Sequence, residues 1–150
     1  MATANWYGLF FRDLFTSISD TTAFDFTAAS AVKCMLTTNT YTPDFDVHDF
    51  RNDVTNEVTG TNYTTGGVVL TGGAVTYDSA SDETRIDFAD PTFTNITVSG
   101  IRKAVFYNNV GTSATDRLLW AYTFDGDQSV TAADFIIQLD ATGAAKVDTT

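Results

Sequence analysis

The residues best suited to chemistry lie close together in one acidic stretch. Asp44, Asp46 and His48 stand at alternate positions, and Asp49 follows directly. On an extended strand the three alternate side chains would share one face, where carboxylates suit a hard cation such as calcium. Histidine is a poor calcium ligand, and a zinc site would need a third or fourth ligand from elsewhere in the chain. Aspartates in turns more often cap backbone groups or face water, so we expect no metal here.

No other group of residues forms a convincing catalytic or cofactor-binding set. The run DGD at 125–127 resembles the start of a calcium loop, but it lacks the later glutamate and the flanking helices, so we interpret it as a turn. Asp87 with Asp90, or Asp53 with Glu57, could act as paired glycosidase carboxylates, but such pairs are common in acidic proteins. There is no phosphate loop with lysine and no serine in a nucleophile elbow. We therefore expect a protein that is not an enzyme and that binds no cofactor.

Charge and cysteine content narrow the classes of partner. The 150 residues carry a formal net charge of −11, with only eight basic residues scattered along the chain, which argues against direct binding to nucleic acid. No apolar run has the length of a membrane span, and the first residues do not read as a signal peptide. Cys34 is the only cysteine, so no intrachain disulfide can form, and folding in a reducing compartment is expected.

The elements that would position these residues are mainly strands. Threonine is the commonest residue, and valine, isoleucine, phenylalanine and tyrosine are frequent, as is typical of pleated sheets. About eight or nine short alternating runs, separated by glycine-rich or Asp/Asn-rich turns, predict an all-β, antiparallel β-sandwich, either jelly-roll-like or Ig-like. We expect one domain over residues 1–150, and no crossover helix is visible after residue 60.

Several strands are predicted with particular faces. Residues 31–37 form a strand with Val32, Cys34 and Leu36 on one face, so that Cys34 is a buried small hydrophobe. Residues 93–99 and 101–108 are predicted as separate strands, the second central because it is apolar on both faces. A further strand over 118–124 presents one apolar face, and the chain ends in a frayed tail over 146–150. That face consists of Leu118, Trp120, Tyr122 and Phe124.

The N-terminal residues 5–18 have helical periodicity. Tyr7, Phe10, Leu14 and Ile18 are spaced for one face, which Trp6 and Phe11 widen. Two interpretations remain open: a short helix packed on the core, or an aromatic arm over residues 1–20 that docks on a neighbouring subunit.

The segment 41–78 combines carboxylates, amides, hydroxyls and aromatic rings without a catalytic set. That mixture is typical of a surface that recognises a partner. The predicted protein-contact residues are those of this segment together with the N-terminal arm: Trp6, Phe10, Phe11, Phe45, His48, Phe50, Glu57 and Tyr63.

An ordered series of motifs resembles a family of small tailed-phage virion proteins. The series comprises VKCML at 32–36, YTP at 41–43, HDF at 48–50, and the stretch from Asn56 to Leu70, with NWYG at 5–8 and the run 121–143 as weaker matches. The aromatic run LFFRDLF near the N-terminus departs from the family pattern.

The resemblance implies a capsid decoration, or cement, protein: a non-enzymatic β-sandwich, often trimeric, that sits on the outer shell. Its expected partners are the major capsid protein and further copies of itself in a homotrimer, with no nucleic acid and no membrane. Its expected location is the virion surface, after synthesis in the host cytoplasm. The alternatives are a structural protein of the tail or the head–tail connection, a host-glycan-binding β-sandwich, or a small hydrolase. A glycan module would expose rings such as Trp120 and Tyr122, which the apolar strand pattern places in the core instead.

Overall fold

A computed structural model of the chain describes residues 4–16, 25–28 and 31–148. Its strands form two antiparallel sheets, which confirms the predicted all-β, sandwich-like fold class. No helix within those ranges is both long enough and apolar enough to cross a membrane. The elements in chain order are β1 (Asn5–Trp6), α1 (Gly8–Thr16), β2 (Val32–Thr37), a 3₁₀ turn (Arg51–Asp53), β3 (Val68–Val69), β4 (Ala74–Asp78), β5 (Glu83–Asp87), β6 (Thr92–Asn108), β7 (Leu118–Ile136) and β8 (Ala145–Asp148).

The larger sheet has the strand order β1-β7-β6-β2-β3 and is buried on both faces. Successive residues of a strand point to opposite faces. In β2, Cys34 and Leu36 enter one apolar cluster, while Met35 between them enters the other. β2 and the second half of β6 are therefore apolar on both faces, and the sheet needs a cover on each side.

The smaller sheet, β4-β5-β8, covers one face of the larger sheet, which we call the inner face. Ile86, Phe88 and Ala145 of this layer join the same buried cluster as Phe106 and Trp120. The Trp120 ring is fully buried at its centre, stacked 4.8 Å from the Phe106 ring and 6.3 Å from the Phe88 ring. The predicted core position of Trp120 is confirmed.

β6 and β7 are longer than the short strands predicted from the sequence. They pair almost continuously from Thr92 opposite Ile136 to Tyr107 opposite Leu118, with five shifts of register. Ile101 pairs with Gln128 and Lys103 pairs with Thr123. Between these two pairs β6 has one residue, whereas β7 has four. The run DGD at 125–127 therefore bulges within a strand, and the predicted turn there is wrong. Glycine and aspartate are found in bulges as well as in turns, so the composition of this run does not distinguish a bulge from a turn.

The prediction that Leu118, Trp120, Tyr122 and Phe124 share one face is wrong for Leu118, because a bulge interrupts the alternation of β7. Phe106 pairs with Trp120, but the next residue of β6, Tyr107, pairs with Leu118, so Leu119 is the extra residue. Leu118 consequently belongs to the outer cluster, while Leu119 and Trp120 both face the inner one. Alternation fails wherever one extra residue is inserted.

The N-terminal segment forms a two-residue strand and then a helix. β1 pairs with β7, with Trp6 opposite Trp120, and α1 begins only at Gly8. Phe10 packs in the inner cluster, whereas Tyr7 is buried in the outer one, so these two do not share a face as predicted. Of the other predicted face residues, Ile18 and the Leu14 side chain lie outside the part of the structure that is described.

The C-terminal residues extend the smaller sheet. The predicted frayed tail over 146–150 is wrong for Lys146, Val147 and Asp148, because β8 pairs with β5 along Glu83–Ile86. The ladder places Lys146 opposite Arg85 on the solvent side, and Ala145 opposite the buried Ile86.

Candidate contact surface

A long loop closes the outer face of the larger sheet; we call it the cover loop (residues 38–56). It leaves β2 at Thr37 and returns beside it, since Thr37 forms a β-bridge with Glu57 and Thr38 N–H donates to the Asn56 carbonyl over 3.0 Å. Its apolar side chains pack on the outer cluster of Tyr7, Met35, Val105, Tyr107, Leu118 and Ala121; they are Tyr41, Phe45 and Val54. The loop is therefore one of the two covers that the sheet requires, as compact closed loops often are.

Beneath the cover loop runs a chain of hydrogen bonds between aromatic side chains. The Tyr7 and Tyr41 hydroxyls lie 2.9 Å apart, and the Tyr41 hydroxyl lies 3.1 Å from His48 Nδ1. The Asp44 N–H also donates to His48 Nδ1, over 3.2 Å. Burial raises the pKa of Tyr41 to about 12 and that of Tyr7 further. Because the two tyrosine hydroxyls stay protonated and bonded to each other, the chain of hydrogen bonds holds the cover loop against the sheet.

The acidic cluster at 44–49 forms a turn and not a strand. One carboxylate oxygen of Asp44 accepts from the N–H groups of Asp46 and Val47, each over 3.1 Å, and His48 N–H donates to the Asp44 carbonyl. The alternate residues therefore do not share a strand face. Within residues 4–16, 25–28 and 31–148, no three His, Cys, Asp or Glu side chains are grouped as metal ligands.

Asp53 holds the second half of the cover loop. Its Oδ2 accepts from the N–H groups of Asp49 and Phe50, over 3.0 and 3.2 Å. Burial alone would raise the pKa of Asp53, but these backbone donors and the nearby His48 outweigh it and lower that pKa. The ionised carboxylate is thus part of the folded loop.

A buried aspartate from the β6–β7 connection anchors the cover loop. Asp116 is fully buried; its Oδ2 accepts from Arg51 Nε over 2.8 Å, and its Oδ1 accepts from the N–H groups of Val110 and Gly111 over 2.9 and 3.0 Å. The Arg51 N–H also donates to the Asp116 carbonyl over 2.8 Å. These bonds fasten the cover loop to the 109–117 connection.

The Phe50 ring is engaged within the molecule. The Arg117 guanidinium lies 4.2 Å above its centroid, and Phe50 forms a β-bridge with Arg117. Arg51 lies over the Tyr107 ring at 5.2 Å. Such stacked arginines contribute about 0.5–2 kcal/mol, depending on their exposure to water.

Glu57 and Tyr63 contact each other beside β2. The Tyr63 hydroxyl donates to Glu57 Oε1 over 2.8 Å and accepts from the Leu36 N–H over 3.0 Å, while Gly66 N–H donates to the same Glu57 oxygen over 2.6 Å. Burial raises the pKa of Tyr63. The pair holds the segment 57–66 against the sheet.

The next residue, Gly67, approaches β2 as only glycine can. Its φ is +74°, and a Cβ there would lie 1.8 Å from the Cys34 carbonyl oxygen. Cys34 itself is fully buried, as predicted, and burial raises the pKa of its thiol well above the ordinary value.

Three N-terminal aromatic residues, Trp6, Phe10 and Phe11, lie on the opposite face of the sheet from the cover loop. Phe10 is 3% exposed, and Trp6 and Phe11 are partly buried against the inner cluster. The Trp6 ring lies 5.5 Å from Phe10, 5.1 Å from Phe11 and 5.3 Å from Trp120, and its indole N–H donates to the Lys146 carbonyl over 3.0 Å. Of the two interpretations of this segment, a short helix packed on the core agrees with Phe10 and Phe11, which lie in α1 and pack against the inner cluster.

The eight predicted contact residues therefore do not form one surface. Trp6, Phe10 and Phe11 lie at the inner face. Phe45, His48 and Phe50 lie within the cover loop, while Glu57 and Tyr63 bond to each other beside β2. Among the residues that the cover loop exposes are two acids and a large apolar side chain close together in the chain; we define Asp44, Asp46 and Val47 as the acidic rim, and Val47 is 67% exposed. Sequence reasoning missed the anchor Asp116, because one acid in a Thr-rich connection gives no local signal of burial.

Comparison with known proteins adds no assignment: no family model, curated protein or solved structure matches the chain.

Proposed function

We propose that this chain is a structural virion protein of a tailed phage that binds and stabilises the assembled capsid, as a cement or decoration protein. The ordered motif series in the sequence motivates the class. The all-β, sandwich-like fold is compatible with it. The observation that carries the contact site is the acidic rim, where two exposed acids closely precede an exposed valine on a loop that is fixed from below.

A fixed loop is suited to binding because it loses little freedom on association. The cover loop is held by the Asp116 anchor, the Asp53 hydrogen bonds and the Tyr7–Tyr41–His48 chain. The rim residues themselves take little part in these contacts, apart from the Asp44 turn, so they are available to a partner. Binding to the assembled shell and not to its dissociated subunits stabilises the shell by linkage and requires no chemistry.

The charge of the rim indicates what it contacts. The whole chain carries a net charge of −11, and the rim contributes two acids next to Val47. We infer a basic patch with an apolar depression on the major capsid protein, because complementary charge steers association and selects the partner. Contacts of this kind weaken as salt screens them, with a screening length of about 8 Å at physiological ionic strength.

The experiment compares capsid occupancy of the Asp46→Lys and Val47→Asp variants with that of the unaltered protein, by cryo-electron microscopy of decorated particles. Asp125→Lys is the matched control, because it makes the same charge change at another exposed position. We expect occupancy to fall for both rim variants and not for the control, and to fall with added salt.

Equal loss in the control would show that only net charge matters and would remove the rim from the proposal. Density confined to the tail or to the head–tail connection would replace the capsid assignment by the tail alternative. The rings proposed as a glycan-binding face, Trp120 and Tyr122, are 0% and 6% exposed, so no observation favours that alternative.

A further inference from the structure

The outermost strand of the smaller sheet has an open edge. β4 pairs with β5 on one side, and within the described ranges no strand pairs with its other side. Residues 74–77 are all exposed, and the two large apolar side chains among them, Val75 and Tyr77, are 46% and 59% exposed. In an antiparallel ladder, alternate backbone groups of an edge strand point outward and are available to a further strand.

The other sheet edges of the described chain carry the features that prevent edge pairing. β1 and β3 have only two residues each, and β8 carries Lys146 and Asp148. The part of β7 beyond β1 carries Asp125, Asp127 and Asp134, and its pairing with β6 is repeatedly shifted. β4 has less of this protection: it contains no lysine or proline, its five pairs with β5 are in regular register, and its one charged residue, Asp78, forms an ion pair with Arg85 over 2.6 Å. Short strands, charges and bulges are the usual protection of an edge, so a weakly protected edge favours a partner strand.

The side chains of β4 form an apolar patch that continues the buried layer. Val75 pairs with Ile86, and Tyr77 pairs with Thr84, so both lie on the face that carries the buried Ile86. Ile86 is 4% exposed, whereas Val75, its partner in the ladder, is 46% exposed, so the core that covers Ile86 leaves much of Val75 open to solvent. The Tyr77 hydroxyl donates to Asp82 over 2.7 Å, which orients the ring.

We propose that this edge binds a second copy of the chain, through antiparallel pairing of β4 with β4 about a twofold axis at Thr76. In that register Val75 lies opposite Tyr77 of the partner subunit, and Ala74 opposite Asp78 of the partner subunit. Aromatic and β-branched residues are favourable cross-strand pairs, and no like charges face each other. The strand is thus self-complementary, which is what an isologous contact requires. Two three-stranded sheets become one six-stranded sheet.

The contact is weak in dilute solution for two reasons. The paired strand has only five residues, and two chains of net charge −11 repel each other. Salt screens that repulsion, so self-association strengthens with salt, whereas the capsid contact proposed above weakens. The two proposals therefore fail separately, and the twofold contact is distinct from the threefold association that the resemblance implies.

Charge pairs introduced at Thr76 test the register. Thr76 lies opposite its own copy, so Thr76→Lys and Thr76→Glu each bring like charges together, and each should weaken dimerisation about tenfold. An equimolar mixture of the two variants places lysine opposite glutamate and should restore it. Sedimentation velocity over a concentration series measures all three samples, and Val75→Lys gives a second variant that disrupts the same edge.

The expected result is a concentration-dependent dimer of the unaltered chain, lost in each single variant and recovered in the mixture. A chain that stays monomeric up to about 1 mM overturns the proposal, since a contact weaker than that is not specific. Dimers unaffected by the Thr76 variants, or not restored in the mixture, also overturn it, because they arise at another surface or in another register.

Discussion

The strongest prediction concerns Asp116→Asn. Asp116 is fully buried and accepts three hydrogen bonds, one of them from Arg51. Asparagine keeps the shape and one acceptor but turns its NH₂ group towards a donor, either the arginine or a backbone N–H. Breaking a buried ion pair by removing one partner costs about 3–5 kcal/mol. Because the Arg51 side chain is 23% exposed and regains water, we expect the lower end, about 3 kcal/mol.

Urea unfolding at pH 7, followed by tryptophan fluorescence, measures this loss. For a chain of this size about 3 kcal/mol corresponds to a fall of roughly 6–12 °C in the melting temperature. Asp125→Asn is the control: its side chain is exposed, so its effect should stay within about 0.5 kcal/mol. A double variant with Arg51→Met should lose less than the sum of the single changes, because both remove the same bond.

If Asp116→Asn is as stable as the control, the reasoning is refuted: the carboxylate would not then anchor the cover loop. If Asp116→Asn loses stability but the double variant with Arg51→Met loses the full sum of the two single changes, the ion pair contributes nothing. The backbone hydrogen bonds of Asp116 would then account for the loss.

Four further predictions follow from individual contacts. Tyr63→Phe removes a hydroxyl that makes two internal hydrogen bonds and should cost about 1–2 kcal/mol in urea unfolding; a neutral result contradicts the bracing role. Gly67→Ala should cost more than about 3 kcal/mol or prevent folding, since its Cβ meets the Cys34 carbonyl, while Gly126→Ala, with no atom within 4 Å, should cost under about 1 kcal/mol. The Cys34 thiol should resist a thiol reagent until urea unfolds the chain, and rapid labelling of the native protein argues against its burial. The pKa of Asp53 lies below its ordinary 3.8 in the folded chain, so its ionised form stabilises the fold above that pH, and this contribution disappears as pH falls through the lowered pKa. Asp53→Asn should therefore destabilise at pH 7 but little at pH 2, and an equal loss at both values refutes the linkage.

The structure also changes how the contact residues should be tested. Phe50 and Tyr63 are natural choices from sequence, since aromatic residues are preferred interface anchors. Both are engaged internally, Phe50 under the Arg117 guanidinium and Tyr63 with the Glu57 carboxylate. Replacing them with alanine would lower stability as well as any binding. Asp46 and Val47 separate the two effects, because they are exposed.

Periodicity predicted the elements well where burial is regular. β2 lies within one residue of its predicted start, and the buried positions of Cys34 and Trp120 are as predicted. Prediction failed at inserted residues: Leu119 reverses the face of Leu118, and residues 124–127 bulge where a turn was expected. A bulge is a mismatch between two paired strands, so it depends on the neighbouring strand as well as on its own residues. A local window of sequence does not contain that neighbour.

The sequence by itself determined the class of fold, the burial of the most apolar strands, and the acidic character of the surface, because these follow from composition and alternation along the chain. Only the tertiary structure decided what the acidic segment does. Its aromatic residues cover the outer face of the sheet, and Asp116 from a distant connection fastens it. The rim of Asp44, Asp46 and Val47 stays exposed. The same holds for β4, whose exposure depends on which other parts of the folded chain cover it. Carboxylates and rings suit a bracing role as well as a contact role, and the choice depends on neighbours that are remote in the chain.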